Sequence, residues 1–398
     1  MPTLTRRQFA ALTASTIPFS ALARPARAQV AGNGGPLKIG LIVPLSGPLA
    51  RFGGFASHGA ELAVKQINAA GGVNGAPIEL MRGDSQGTPV EAVSAARRVI
   101  SDDKVQVILG DIASSATIAL QPVVEDAHVI LLNAASSNPD ITYKAGVGGY
   151  KWSFRSYPTD ELRAKVILQF GAEQKHFTRY AVLSVDSDFG RGAIAFSKKY
   201  LPQFHGEILS EDYYKDDETD FRPVLSHIKS LNVQGILSYG LPDATRLIVR
   251  QILELGLAGK VTLLGSGEFT YPDTIKVSPA VLNGAVEAAA WAPDLDNPRS
   301  LQFVADYRTA YGTKEVPNVH SYTHWEAVYL LAAAAKAAGG TEGSALRSAL
   351  EAIDYDGATG KIRFDSHHQA ELPMFIYEVE GGKSVEKGAF IAKVEYPA

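Results

Sequence analysis

Short apolar runs alternate with helix-length amphipathic segments through most of this 398-residue chain, and that alternation limits the possible folds more than any other feature. Strand then helix, repeated, is the pattern of parallel sheets whose crossovers are helices. In the first half strands are expected near 38–43, 78–82, 105–109 and 129–132, with helices near 54–70, 89–101 and 115–126 between them. Around Trp152-Ser153-Phe154-Arg155 the pattern breaks, and Pro158 with Asp160 restarts a helix, as a crossover between two domains would. A second run follows, with strands near 180–185, 206–213, 235–238 and 261–264 and helices near 189–201, 221–231 and 243–255. The segment 284–291 reads as a return crossover, and three Ala-rich helices near 298–311, 319–338 and 344–352 come after it. Residues 356–364 then read as a third crossing into a final β-rich piece. The length fits two domains, each discontinuous: 37–157 plus 291–355, and 158–290 plus 356–398.

The first 28 residues read as a leader rather than as fold. Thr5-Arg6-Arg7-Gln8-Phe9 is a twin-arginine pattern, a weakly apolar stretch too short to span a bilayer follows, and Ala26-Arg27-Ala28 is an A-x-A cleavage site. The expectation is export to the periplasm with cleavage after Ala28. The chain has no cysteine, hence neither a lipid-anchored Cys nor a disulfide, and no stable membrane anchor is expected. Its net charge is −4, and the leader holds Arg6, Arg7, Arg24 and Arg27 with no acidic residue, so the remainder is more acidic still. Nucleic acid and anionic membranes are poor partners for such a surface.

Catalytic signatures are missing. The sequence has no H-E-x-x-H, G-x-S-x-G, G-x-x-x-x-G-K or G-x-G-x-x-G, so it is read as a binder and not an enzyme, without cofactor. His320 and His324, four apart, share a helix face, but no third ligand lies near in sequence and no metal is expected. His367-His368 and the acidic run Asp216-Asp217-Glu218 read as solvated, and Trp152 and Trp291 as packing between lobes at the crossovers.

Open parallel sheets bind ligands at the carboxyl ends of their strands, where loops feed helix N-termini. Ser114 and Ser115 stand at such a place, and unpaired N–H groups there favour an anion. Taken alone, either serine could equally cap its own helix. Ala135-Ser136-Ser137-Asn138-Pro139-Asp140 could be a ligand loop or an ordinary turn, and Phe52 a ligand wall or core.

The ordered series sharpens these alternatives. Lys38-Ile39-Gly40-Leu41-Ile42-Val43-Pro44-Leu45-Ser46-Gly47-Pro48, then Gly59-Ala60-Glu61-Leu62-Ala63-Val64, Ile67-Asn68-Ala69-Ala70-Gly71-Gly72-Val73-Asn74-Gly75, and the two serine loops resemble the branched-chain amino-acid (Leu/Ile/Val) binding-protein family. These are type I periplasmic solute-binding proteins of ABC importers. The resemblance implies the type I periplasmic-binding-protein fold, with two doubly wound parallel-sheet lobes joined by three crossover strands and a ligand in the cleft between them. It implies a monomer that passes a small carboxylate to membrane permease subunits. By the same resemblance Ser114 binds the ligand carboxylate, beside Ser115, Ala135 and Ser137 clasp its amino and carboxyl ends, and Phe52 forms an apolar wall. Phe189 stands where the family usually has Tyr, Tyr239 is near a family tyrosine but displaced by one residue, and Glu268 is placed to pair a ligand ammonium. His320 falls near a cleft position. The ligand is then a branched-chain amino acid or a related small hydrophobic carboxylate. The alternative is a receptor for aromatic or other amine-free acids or amides.

Overall fold

The computed structural model describes residues 35–391 and 394–396; the expected leader, 1–28, lies outside the described residues. The first sheet is built from β1 (Leu37–Val43), β2 (Ile78–Asp84), β3 (Val107–Gly110), β4 (Ile130–Asn133) and β5 (Ser153–Arg155), in the order β2-β1-β3-β4-β5. All its pairings are parallel. Helices α1 (Ala50–Ala69), α2 (Pro89–Arg98), α3 (Ser114–Ala127) and α4 (Asp140–Tyr143) connect the strands. Every residue of β3 and β4 is buried, which is why these segments read as continuous apolar runs rather than alternating ones.

The second unit contains α5 (Asp160–Lys175), β6 (Arg179–Val185), α6 (Asp188–Tyr200), β7 (Glu207–Tyr214), α7 (Arg222–Leu231), β8 (Gly235–Tyr239) and α8 (Pro242–Glu254). It continues with β9 (Thr262–Ser266), α9 (Pro272–Ile275), α10 (Pro279–Leu282) and β10 (Val286–Ala289). The chain then returns to the first unit for α11 (Pro298–Tyr311), α12 (Val319–Ala338), α13 (Gly343–Glu351) and a hairpin of β11 (Tyr355–Gly357) and β12 (Gly360–Ile362). It ends with β13 (Met374–Glu380) and β14 (Lys383–Phe390), which extend the second sheet to the order β14-β13-β10-β9-β8-β6-β7. β13 and β14 are antiparallel to their neighbours.

Each sheet is covered on both faces. α1, α11, α12 and α13 pack on one face of the first sheet and α2 with α3 on the other. α7 and α8 cover one face of the second sheet, α5 and α6 the other. α1 and α12 approach unusually closely: a Cβ on Gly59 would lie 1.9 Å from the Ser321 carbonyl oxygen. Among the described residues no helix is long and apolar enough to cross a membrane.

Three features differ from the sequence expectation. Residues 356–364 do not cross between units; they fold into the antiparallel β11–β12 hairpin, whose Ala358 and Ile362 enter the first unit's core. Its turn is Gly357-Ala358-Thr359-Gly360, with Gly360 at φ +135°, a left-handed position that glycine adopts freely. The crossing comes later. There the buried Arg155 guanidinium donates to Gln369 Oε1 at 2.6 Å and to the Asn138 carbonyl at 2.8 Å, tying the first and third crossovers together. His368 is not solvated: it is buried with its ring stacked on Phe154 at 4.0 Å. Trp152 packs in the first unit's core under the Arg347 guanidinium, 4.9 Å from the ring centroid, not between the units.

Candidate functional site

In both sheets the strand order reverses beside the first strand of the run, between β1 and β3 and between β6 and β8. At such switch points the loops diverge and leave a crevice at the carboxyl ends of the strands. Here the two crevices face each other. The cavity between them, about 180 Å³, is lined by the loops after β1, β3, β4, β6, β8 and β9 together with β10 and the start of α12. A single water needs roughly 10–15 Å³, so a small organic molecule fits.

The first lobe supplies hydroxyls and backbone donors. The N-cap of α3 is Ala113, and among the described residues no side chain caps this helix. Ser114 is thus the first helical residue rather than a cap, and the first-turn N–H groups are left for whatever enters the cleft. Ser114 and Ser115 line the cavity. Ser114 is buried, and its Oγ accepts one long bond, 3.4 Å, from the Asn138 N–H.

The loop after β4 is shaped by Asn133. Its Oδ1 accepts from the Ala135 and Ser136 N–H groups at 2.9 and 2.8 Å, and its Nδ2 donates to the Ser136 carbonyl at 2.8 Å. Ser136 turns inward, with Oγ 2.7 Å from the Asp111 carbonyl, while Ala135 and Ser137 face the cavity. Phe52 also lines it, tilted against the His320 ring at 4.6 Å. A tight contact fixes its helix: a Cβ on Gly53 would lie 1.7 Å from the Pro44 carbonyl oxygen.

From the second lobe the structure brings Phe189 and Glu268 to the cavity but not Tyr239. Phe189 lines the cleft after β6. Tyr239 is wholly buried in the core between α5, α6 and the sheet, its hydroxyl 3.4 Å from Ser197 Oγ. As the last residue of β8 it points to the face covered by α5 and α6, and the next two residues, Gly240 and Leu241, reach the cleft instead.

Glu268 sits at φ +61° in the loop after β9 and lines the cleft with only 7% exposure. Its Oε2 is paired with Arg51 from the other lobe and lies 4.0 Å from Arg246, while Asn318 Nδ2 donates to its Oε1 at 3.5 Å. Burial raises its pKa against the pull of Arg51. Beside it, Glu287 accepts from the Gly267, Glu268 and Thr270 N–H groups at 3.1, 2.9 and 3.1 Å, and from Thr270 Oγ1 at 2.8 Å. Glu287 therefore holds the loop that presents Glu268.

Besides Glu287, sequence reasoning missed a second charged residue of the cavity, Arg163. Buried on α5, it is ion-paired with Asp160, donates from Nη1 to Ser137 Oγ at 3.1 Å and from Nε to the Ala288 carbonyl at 3.3 Å. Burial opposes its charge, but Asp160 keeps the guanidinium pKa above its ordinary value. The sequence signal, Asp and Arg three apart, is that of a solvated helix pair. It marks a binding-cleft cation only because α5 is enclosed where the lobes meet. His320 lines the cavity as a neutral imidazole, its pKa pushed down to about 3 by burial and by the nearby His324 and Arg163. Trp291 also reaches the cavity, one face stacked on Tyr322 at 4.9 Å. Asp216 of the acidic run lies exposed at the cavity's edge.

This geometry has known counterparts. A family model described as periplasmic binding protein matches residues 36–384. The leucine-, isoleucine-, valine-, threonine-, and alanine-binding protein of Pseudomonas aeruginosa is 26% identical over 361 residues, 91% of this chain and 94% of that one. The branched-chain amino acid transporter substrate binding protein of Streptococcus pneumoniae, in complex with isoleucine, superposes with a TM-score of 0.80 at 24% identity, covering 90% of this chain and 100% of that one. A solute binding protein of an ABC transporter from Rhodopseudomonas palustris, in complex with 3,4-dihydroxy benzoic acid, gives 0.82 at 24% identity, covering 91% and 99%. A match that spans both sheets and nearly the whole described chain makes this protein a member of the periplasmic binding protein family.

Proposed function

We propose that this protein is the periplasmic substrate-binding component of an ABC importer, and that it captures a branched-chain amino acid or a related small hydrophobic carboxylate between its lobes. The observation that carries the reading is the uncapped N-terminus of α3, with Ser114, Ser115 and Ser137 around it and the apolar rings of Phe52, Phe189 and Trp291 lining the same cavity. A carboxylate is the complement of the first group and an apolar tail of the second. The named relative binds amino acids, and the structural neighbours hold isoleucine or a benzoic acid; both kinds of ligand carry a carboxylate beside a hydrophobic body.

In this reading 37–157 with 291–355 and the β11–β12 hairpin form the first lobe, and the remainder the second. The hinge lies at the three crossovers, the first and third of which Arg155 and Gln369 join. Ser114, Ser137 and the α3 N–H groups hold the ligand from the first lobe, and closure adds Phe189 from the second. The closed monomer then docks on the permease. The twin-arginine leader exports the protein and is removed after Ala28. The second reading, a receptor for aromatic or other amine-free acids, draws support from the pairing of Glu268 with Arg51.

A thermal-shift screen of the mature protein against small hydrophobic carboxylates, with and without an α-amine, tests the proposal. A ligand at 100 times its dissociation constant adds about 2.7 kcal/mol. If no member of either set raises the melting temperature, the carboxylate reading is wrong.

A further inference from the structure

An α-amino acid brings an ammonium into the cleft as well as a carboxylate. A buried ammonium needs an acidic partner, because its desolvation is otherwise too costly. Among the described residues three acidic side chains line the cavity: Asp216, Glu268 and Glu287. Asp216 is exposed at the edge, where water competes for it. Both oxygens of Glu287 are taken, each by two donors from residues 267–270. Glu268 alone remains for a buried amine, and it already faces two arginines and an amide.

We infer that Arg51 is a specificity-determining residue: its guanidinium reaches from the first lobe and neutralises the Glu268 carboxylate that would otherwise pair a ligand ammonium, so that the cleft takes amine-free carboxylates in preference to α-amino acids. The inference rests on the carboxylate reading of the site given above. Arg51 is well placed for this role. It stands at the start of α1, one residue before the cavity-lining Phe52, and approaches Glu268 from outside the cavity. It is 32% exposed whereas Glu268 is 7% exposed, so the arginine keeps part of its hydration while it neutralises a buried acid. Discrimination here comes from a repulsive element as much as from a fitted pocket.

The test is calorimetric titration of two matched pairs, leucine with 4-methylpentanoate and phenylalanine with 3-phenylpropanoate. They are titrated into the wild type, Arg51→Met, Arg51→Lys and the double variant Arg51→Met/Glu268→Gln. The wild type should favour the acid of each pair at least about tenfold, the size of a coupling of about 1.4 kcal/mol. Arg51→Met should shift each ratio toward the amino acid by at least about tenfold. Arg51→Lys should restore the wild-type preference, and the double variant should lose what Arg51→Met gained. Amino acids binding the wild type as well as the matched acids would overturn the role of Arg51 and leave the transport reading standing. An unchanged ratio in an Arg51→Met protein with wild-type circular dichroism would do the same. Absence of binding by every compound to the wild type would overturn the carboxylate reading, and this inference with it.

Discussion

Ser114→Ala separates ligand recognition from stability. In the structure Ser114 Oγ accepts only the long 3.4 Å bond from the Asn138 N–H, so its own proton is free to be donated. A neutral hydrogen bond of poor length contributes at most about 0.5 kcal/mol, and the substitution should leave unfolding in urea almost unchanged. A bond to a ligand carboxylate is charge-assisted and contributes about 1.5–3 kcal/mol, a loss of roughly 13- to 160-fold in affinity. Ser137→Ala is the contrasting variant. Ser137 Oγ already accepts from the buried Arg163 at 3.1 Å, so its removal strips a guanidinium donor of its partner and should lower stability by about 1–3 kcal/mol as well as affinity. Titration calorimetry with a ligand found in the thermal-shift screen, beside urea midpoints, reads both quantities. A Ser114→Ala protein within about threefold of wild-type affinity, less than 1 kcal/mol, would refute the placing of the carboxylate at this helix.

Tyr239→Phe should leave ligand affinity unchanged, since the hydroxyl meets Ser197 in the core; a tenfold or larger loss by calorimetry would return Tyr239 to the site. Gly59→Ala should destabilise by at least about 1–3 kcal/mol in urea, because the new methyl meets the Ser321 carbonyl of α12; a neutral result would mean that the two helices can part. His324 is neutral in the fold, its pKa lowered to about 4 by burial, while the unfolded value is about 6.5. The stability it contributes is full above pH ~6.5 and falls toward pH ~4, by about 1.4 kcal/mol per pH unit. Asp111, raised to about 7 by burial, acts in the opposite sense, so the comparison is between wild type and His324→Leu: the variant's urea stability should fall less steeply by that amount between pH 6 and 4.5. Equal slopes would show a solvated imidazole.

The parallel architecture was legible because buried central strands such as Val107–Gly110 and Ile130–Asn133 are unbroken apolar runs. The serine loops were legible because a helix N-terminus after a strand is a local feature. What escaped was non-local or depended on the parity of a strand. Tyr239 and Gly240 differ by one position, yet only the second lines the cleft. The β11–β12 turn looks like extended chain until the left-handed Gly360 is seen. Arg163 reads as a surface residue until α5 is enclosed between the lobes. No local pattern ties Arg51 to Glu268 across 217 residues, so the sequence could assign Glu268 a role without showing that its charge was already met.

The most direct test of the central claim is a crystal structure of the protein with a carboxylate ligand identified in solution. The account predicts one carboxylate oxygen within hydrogen-bond distance, roughly 2.5–3.0 Å, of Ser114 Oγ, with first-turn N–H groups of α3 also donating and the apolar tail between Phe52 and Phe189. A ligand whose carboxylate instead pairs with Arg163, or that lies outside the inter-lobe cavity, would contradict it.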